Sequence, residues 1–200
     1  MSTNQPKTSN PKEAPVADKF AMPGQPGQAM GGKRKSKTAS EYKKSLQEKQ
    51  ALKRLYGLSE KQFKKYVKDA LGKIRKVENV SDELIKNLEK RLDNVVFRLG
   101  LAKTRAQSRQ LVSHAYFLIN GKPVNIPSFR VEKGDVIAIK ESKKKKDVFK
   151  NINEIVKKTE TPAWLAMNKE NLQSSVVGEP SLAEVNTPVE ISLIFEFYSR

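Results

Sequence analysis

Seven apolar side chains, Leu84, Ile85, Leu88, Leu92, Val95, Val96 and Leu99, recur at helical spacing, and Gly100 follows them. At 100° per residue they fill an arc of about 120°, the width of a stripe that faces a core. This predicts one helix across the stretch, stopped by Gly100. Asn87, Arg91, Asn94 and Arg98 should form a polar strip along one flank of the same helix. A second helix is predicted to open at Thr104, whose spacing to Gln107 is that of a capping box. Arg105 and Arg109 lie one turn apart on it, with Ser108 between them. The unpaired backbone N–H groups at its start, together with Lys103 and Arg105, suit an anion such as phosphate. Then the period changes from helical to alternating. Tyr116 to Ile119 and Val124 to Ile126 flank Asn120-Gly121, a strong signal for a two-residue hairpin turn, with Lys122 beside the tip. Lys133-Gly134-Asp135 reads as a further turn, leading into a strand from Val136 to Lys140.

A net charge of +17 and a pI near 9.9 point to a polyanionic partner. The charge is uneven: residues 33–76 carry net +12 and residues 77–146 net +7, whereas residues 147–200 carry net −3. A membrane surface is the rival partner. However, no apolar run, Ala115 to Ile119 included, exceeds five residues, and neither a lipidation signal nor an apolar signal segment is present. Nucleic acid is therefore the expected partner, with no membrane. The absence of cysteine excludes disulfides and thiolate metal sites, and the single histidine has no zinc-like spacing around it. No metal or cofactor is expected. His114 lacks a carboxylate at helical spacing to orient it as a base, so it reads as a helix terminator able to donate to RNA.

Taken in order, residues 1–32 hold five of the ten prolines and four of the ten glycines without apolar periodicity, the composition of a disordered or extended arm. Gly31 to Lys37 continues it as a flexible basic run. Ser40 to Leu55 reads as a helix with Tyr42, Leu46, Leu52 and Tyr56 on one side. The next helix has a capping box, Ser59 with Gln62, and a hydrophobic staple, Leu58 with Phe63. Phe63, Tyr66, Val67, Ala70 and Leu71 give it an apolar face, and Lys61, Lys64, Lys65 and Lys68 lie off that face. The two helices are expected to pack as a hairpin about Tyr56-Gly57-Leu58. Lys143 to Lys146 reads as a solvated loop, and Val148, Ile152, Ile155 and Val156 as a short amphipathic helix. Trp164, in acidic surroundings, is read as a packing anchor in preference to a base-stacking platform. Ile191, Leu193, Phe195 and Phe197 alternate, which predicts a half-buried terminal strand.

The segments RLDNVVFRLG, TRAQSRQLVSH and INGKPVNIPS resemble the small RNA-binding module named after the fourth small-subunit ribosomal protein. That module is shared by enzymes and non-enzymes. Outside it, SEYKKSLQEKQALKRLYGLSEKQFKKYV and the ending LIFEFYSR resemble the bacterial ribosomal protein family itself, as does PGQPGQ in the arm and TPAWL further on. The resemblance implies RNA-facing roles for Lys49, Lys53, Arg54, Lys61, Lys64 and Lys65, and in and beside the module Asn87, Arg91, Asn94, Arg98, Lys103, Thr104, Arg105, Ser108, Arg109, His114, Asn120, Gly121 and Lys122 are expected to face the RNA. Many relatives carry a zinc-binding cysteine cluster near the N-terminus that this chain lacks, so that site is not carried over. Pseudouridine synthases keep a catalytic aspartate in an RLD motif, but Arg91-Leu92-Asp93 lies within a helix of the binding module, where Asp93 reads as a structural polar residue.

The expected fold is α+β: a disordered arm (1–32), a helical domain (33–90, completed by 186–200) and an inserted RNA-binding module (91–185, core 91–140). The resemblance implies a non-enzymatic scaffold that binds small-subunit ribosomal RNA directly and organises assembly. It also implies a bearing on translational accuracy, a contact with the fifth small-subunit protein, and a place near where messenger RNA enters. The expected location is cytoplasmic and ribosome-bound, an organellar ribosome being compatible. The alternative is an RNA-modifying enzyme or free RNA chaperone using the same module.

Overall fold

The structure, a computed structural model, describes residues 41–150, 152–168, 170–185 and 187–199. The expected disordered arm and the Gly31–Lys37 run lie outside these residues. Helices α1 (Glu41–Leu55), α2 (Glu60–Leu71), α3 (Val80–Glu89), α4 (Leu92–Arg98) and α5 (Arg105–Ser113) come first. Strands β1 (Phe117–Ile119), β2 (Lys122–Val124) and β3 (Val136–Ile139) follow, then helices α6 (Glu141–Lys144) and α7 (Ile152–Lys158). Strands β4 (Leu165–Asn168) and β5 (Gln173–Val176) and helices α8 (Leu182–Val185) and α9 (Ile191–Ser199) complete the chain. The fold is α+β, as expected.

The α2 start forms as its sequence dictates: the Ser59 hydroxyl accepts from Gln62 N–H at 3.3 Å, and Leu58 and Phe63 are both buried. Phe63, with Val67, Leu84, Leu88 and Ile194, belongs to one apolar cluster. Burying a side chain of that size contributes about 1.5–3 kcal/mol. A second cluster gathers Leu92, Val96, Leu99, Phe117, Ile137 and Trp164. Trp164 is 3% exposed, an anchor in this core.

The apolar stripe is thus divided between two cores, because the single helix predicted across it is broken. At Arg91 the backbone turns extended, with ψ near 135°, and pairs as an antiparallel bridge with Arg130. Leu92 N–H donates to the Phe129 carbonyl at 2.8 Å and Asp93 N–H to the Pro127 carbonyl at 3.2 Å. These N–H groups would otherwise have been given to the preceding helical turn. A crossing segment nearly forty positions away, absent from any local pattern, replaces one helix by two.

Three other expectations are corrected. The C-terminal segment is the helix α9, not a strand. Six of the eight positions from Ile191 to Tyr198 are apolar or aromatic, so both periods fit the segment, and packing decides. Ile191 and Ile194 are buried, while Phe197 stacks near Tyr42 at 5.6 Å and Tyr198 near Phe63 at 6.3 Å. Accordingly α1 and α2 do not close as a simple hairpin: α1 packs chiefly along α9, and α2 against α3 and α9. Lys143 and Lys144, read as part of a loop, close the one-turn helix α6.

The sheet is wholly antiparallel, ordered β2-β1-β3-β5-β4. Asn120 and Gly121 have φ of 49° and 80°, the turn that pairs Ile119 with Lys122. The Asn120 side chain donates to Asp135 at 2.8 Å and accepts from Val136 N–H at 2.9 Å, tying the hairpin to the next turn. β4 and β5 had no counterpart in the sequence reading. Gly100, at φ 73°, stops α4 where a Cβ would meet the Thr159 hydroxyl at 2.5 Å.

Candidate nucleic-acid interface

Between the two apolar clusters lies a lattice of charged side chains, built where α3, α4, α5 and the α1–α2 turn converge. Two carboxylates anchor it. Glu89 is 0% exposed and accepts from the Tyr56 hydroxyl at 2.6 Å and the Asn94 amide at 2.7 Å. Arg98 adds a fork onto Glu89, with Nε at 3.0 Å and Nη2 at 2.8 Å. Asp93, also buried, receives a fork from Arg91, Nε at 3.0 Å and Nη2 at 2.7 Å. Arg109 donates to the same carboxylate from Nε at 3.1 Å and Nη2 at 3.0 Å. It also reaches the carbonyls of Tyr56 and Gly57, stapling α5 to the α1–α2 turn. Arg91 donates further to the Tyr66 hydroxyl at 2.8 Å.

These bonds relocate much of the expected binding set. The strip of Asn87, Arg91, Asn94 and Arg98 is not an exposed flank of one helix. Asn87, Arg91 and Asn94 are buried, Asn87 bonding Glu83 at 2.9 Å, and Arg98 turns inward to Glu89. The helix break at Arg91 rotates the strip into the seam between the cores. Ser108 is buried too, its hydroxyl donating to the Arg105 carbonyl at 2.8 Å. Lys49 lies 4.3 Å over the Phe197 ring and pairs with Glu60 at 2.9 Å, and Lys53 pairs with the same carboxylate at 3.0 Å. Burial raises the Glu60 carboxyl, but hydrogen bonds from Lys49, Tyr198 and Lys53 outweigh it and hold the group at about 2.

Arg105 differs from the other arginines of the lattice. Its Nε donates to Asn94 Oδ1 at 2.9 Å, and its guanidinium carbon lies 4.4 Å from the Phe97 ring centre and 5.2 Å from that of Tyr56. No carboxylate of the described residues bonds it. Burial and the neighbouring Arg98 charge push this guanidinium below the ordinary arginine value. Burial acts on Arg91 and Arg98 as well, yet Asp93 and Glu89 raise them above it. Arg105 is therefore a half-buried cation held in one orientation with the rest of its fork open. It stands at the first turn of α5, where the Thr104 hydroxyl accepts from Gln107 N–H at 3.1 Å and Lys103 is exposed.

The remaining expected residues lie on the surface. Arg54, Lys61, Lys64 and Lys65 are exposed on α1 and α2. Asn120, Gly121 and Lys122 form the exposed hairpin tip. His114 caps the end of α5 and is exposed. A cleft of about 410 Å³ between α2 and the 128–130 segment is lined by Lys65, Tyr66, Asp69, Arg91, Ser128 and Arg130 among others. Arg130 was missed because it sits in a segment with no regular period. Glu89 was missed as well. Its one signal was its position about 20° beyond the edge of the apolar arc, where a carboxylate is forced to the core margin.

Open cations on a frame of buried arginine–carboxylate pairs define a class: a protein whose surface suits a polyanion. Comparison with known proteins makes this specific. The family described as "S4 domain" matches residues 90–137, and "Ribosomal protein S4/S9 N-terminal domain" matches residues 4–92. The chain is 47% identical to small ribosomal subunit protein uS4 of Persephonella marina, over 88% of this chain and 84% of the relative. With uS4 of Aquifex aeolicus the identity is 46%, covering 96% and 90%. With uS4A of Symbiobacterium thermophilum it is 40%, covering 94% and 86%. The chain belongs to the small ribosomal subunit protein uS4 family, which is structural and non-enzymatic. No helix among the described residues is long and apolar enough to cross a membrane.

Proposed function

We propose that this chain binds small-subunit ribosomal RNA directly, gripping a folded junction between the helical part (33–90 with 186–200) and the inserted module (91–185). The observation that carries the reading is Arg105: a guanidinium fixed by Asn94, without a carboxylate of its own among the described residues, beside the N-terminal turn of α5. An arriving phosphate supplies the missing counter-charge, and a planar fork held on a helix reads the geometry of that phosphate. Lys103 and Thr104 flank this contact. Arg54, Lys61, Lys64 and Lys65 provide a second cationic face, and Asn120, Gly121, Lys122 and His114 a third. Phosphate neutralisation supplies most of the affinity, and the shape of the RNA supplies selectivity.

Lys49, Lys53, Asn87, Arg91, Asn94, Arg98, Ser108 and Arg109 support the surface from inside. The family resemblance further supports a role in small-subunit assembly and translational accuracy, a contact with the fifth small-subunit protein, and a place near the incoming messenger RNA. It supports a cytoplasmic ribosome, an organellar one being equally compatible.

The test is a pair of filter-binding titrations across salt concentration, on a cognate ribosomal RNA junction and on a random duplex. Arg105→Ala is expected to weaken cognate binding by about 1.5–3 kcal/mol, the value of one strong charged contact, and to leave the duplex nearly unchanged. Replacing Lys143 to Lys146 by alanine should weaken both RNAs alike and shallow the salt slope. Equal losses from Arg105→Ala on both RNAs would mean that α5 provides charge alone.

A further inference from the structure

A surface that binds phosphate gains nothing, in charge terms, from buried carboxylates close behind it. Yet Glu89 and Asp93 sit at the centre of the arginine lattice, and two routes from the core to Arg105 pass through them. The route from Glu89 is short. Its Oε2 accepts from the Asn94 amide N–H at 2.7 Å, and the Asn94 Oδ1 then accepts from Arg105 Nε at 2.9 Å. An asparagine amide has one donating end and one accepting end. By taking the donating end, Glu89 dictates that the accepting end faces Arg105.

The second route is mechanical. Asp93 holds Arg109, whose guanidinium also binds the Tyr56 and Gly57 carbonyls. The helix bearing Arg105 is thereby fixed to the turn between α1 and α2, which bear the other cationic face. Tyr56 closes the circuit, because its ring lies beside Arg105 and its hydroxyl donates to Glu89.

We propose that Glu89 and Asp93 are positioning residues for RNA recognition, aiming Arg105 through Asn94 and fixing α5 against the α1–α2 turn. This rests on the reading of direct RNA binding and deepens it. Its consequence runs against simple electrostatics. Neutralising Glu89 adds a positive charge to a protein that binds a polyanion, which by charge alone strengthens every RNA complex. If Glu89 aims Arg105, the folded RNA loses what the featureless duplex keeps. Glu89→Gln offers one acceptor oxygen to four converging donors, so Asn94 keeps only its 3.3 Å bond to the Glu89 main-chain carbonyl and is held less firmly.

Two full-length variants, Glu89→Gln and Asn94→Ala, test this in the same pair of titrations, with thermal transitions recorded alongside. For Glu89→Gln, cognate affinity should fall about tenfold, the equivalent of one charge-assisted hydrogen bond. Duplex affinity should hold or rise. Asn94→Ala removes the relay and leaves every charge in place, so it should lose cognate affinity and leave duplex affinity unchanged. Parallel losses on both RNAs would overturn the proposal in favour of a purely structural role, and parallel gains in favour of charge alone. Should Glu89→Gln fail to fold, Asn94→Ala decides by the same criteria. If the wild-type protein binds both RNAs equally, direct junction recognition itself fails and this proposal falls with it.

Discussion

Glu60 and Glu89 are the same side chain in nearly the same company. Each accepts a tyrosine hydroxyl, from Tyr198 at 2.7 Å and from Tyr56 at 2.6 Å, and each is ringed by basic or amide donors. Glu60 joins α1, α2 and α9 with its side chain 46% exposed, whereas Glu89 is sealed between the two cores at 0%. The partners differ to match. Two lysines, compact point charges, serve the exposed carboxylate; an arginine fork and an oriented amide serve the buried one. Water screens the first cluster and takes over lost bonds. The second has no such substitute, so each donor there is obligatory.

The largest effect should come from breaking the buried lattice outright. Arg91 is 2% exposed and supplies a full fork to Asp93, so Arg91→Ala is expected to cost about 3–5 kcal/mol in urea denaturation. A loss below about 1 kcal/mol would show that water reaches Asp93 and that the two clusters are alike.

A matched pair of hydroxyl deletions compares them directly. Tyr56→Phe should cost about 1.5–3 kcal/mol, since it removes a bond to a buried charge, while Tyr198→Phe should cost under about 1 kcal/mol. Both rings stay in place, so the difference isolates burial.

The pH dependence of Glu60 is smaller still. Its carboxyl lies at about 2 in the folded protein against 4.5 ordinarily, so the folded state favours the carboxylate. That contribution is complete above pH 4.5 and is lost as pH falls through about 2. Glu60→Gln should therefore lower stability by about 0.5–1 kcal/mol near neutral pH, the difference from wild type vanishing at acid pH. Unfolding curves at several pH values check it, and a constant difference would mean that the contact is steric. Least of all, Lys73→Ala, which removes an exposed partner from Glu83, should change stability by no more than about 0.5 kcal/mol in the same denaturation assay.

Local features were legible because local physics fixes them. The Ser59 and Thr104 caps, the Leu58–Phe63 staple, the Asn120-Gly121 turn and the stop at Gly100 depend on neighbours within a few residues, and each formed where its residues stand. The exposed lysines of α2 were legible for the same reason: an amphipathic helix puts them off its apolar face.

The interior could not be read this way. Ile191 to Tyr198 satisfied two periods at once, and only the groove offered by α1 and α2 selected the helix. The stripe from Leu84 to Leu99 carried no mark of its break, because the carbonyls that end it belong to Pro127 and Phe129. That break turned Arg91, Asn94 and Arg98 from an outer strip into inner partners of Glu89 and Asp93. By itself the sequence determined the caps, the turns, the excess of positive charge and the kinship with a ribosomal family. Which arginines are engaged within and which fork stays open was decided by tertiary structure alone. A guanidinium goes to whichever carboxylate the fold brings within 3 Å, and that distance is not a property of sequence spacing.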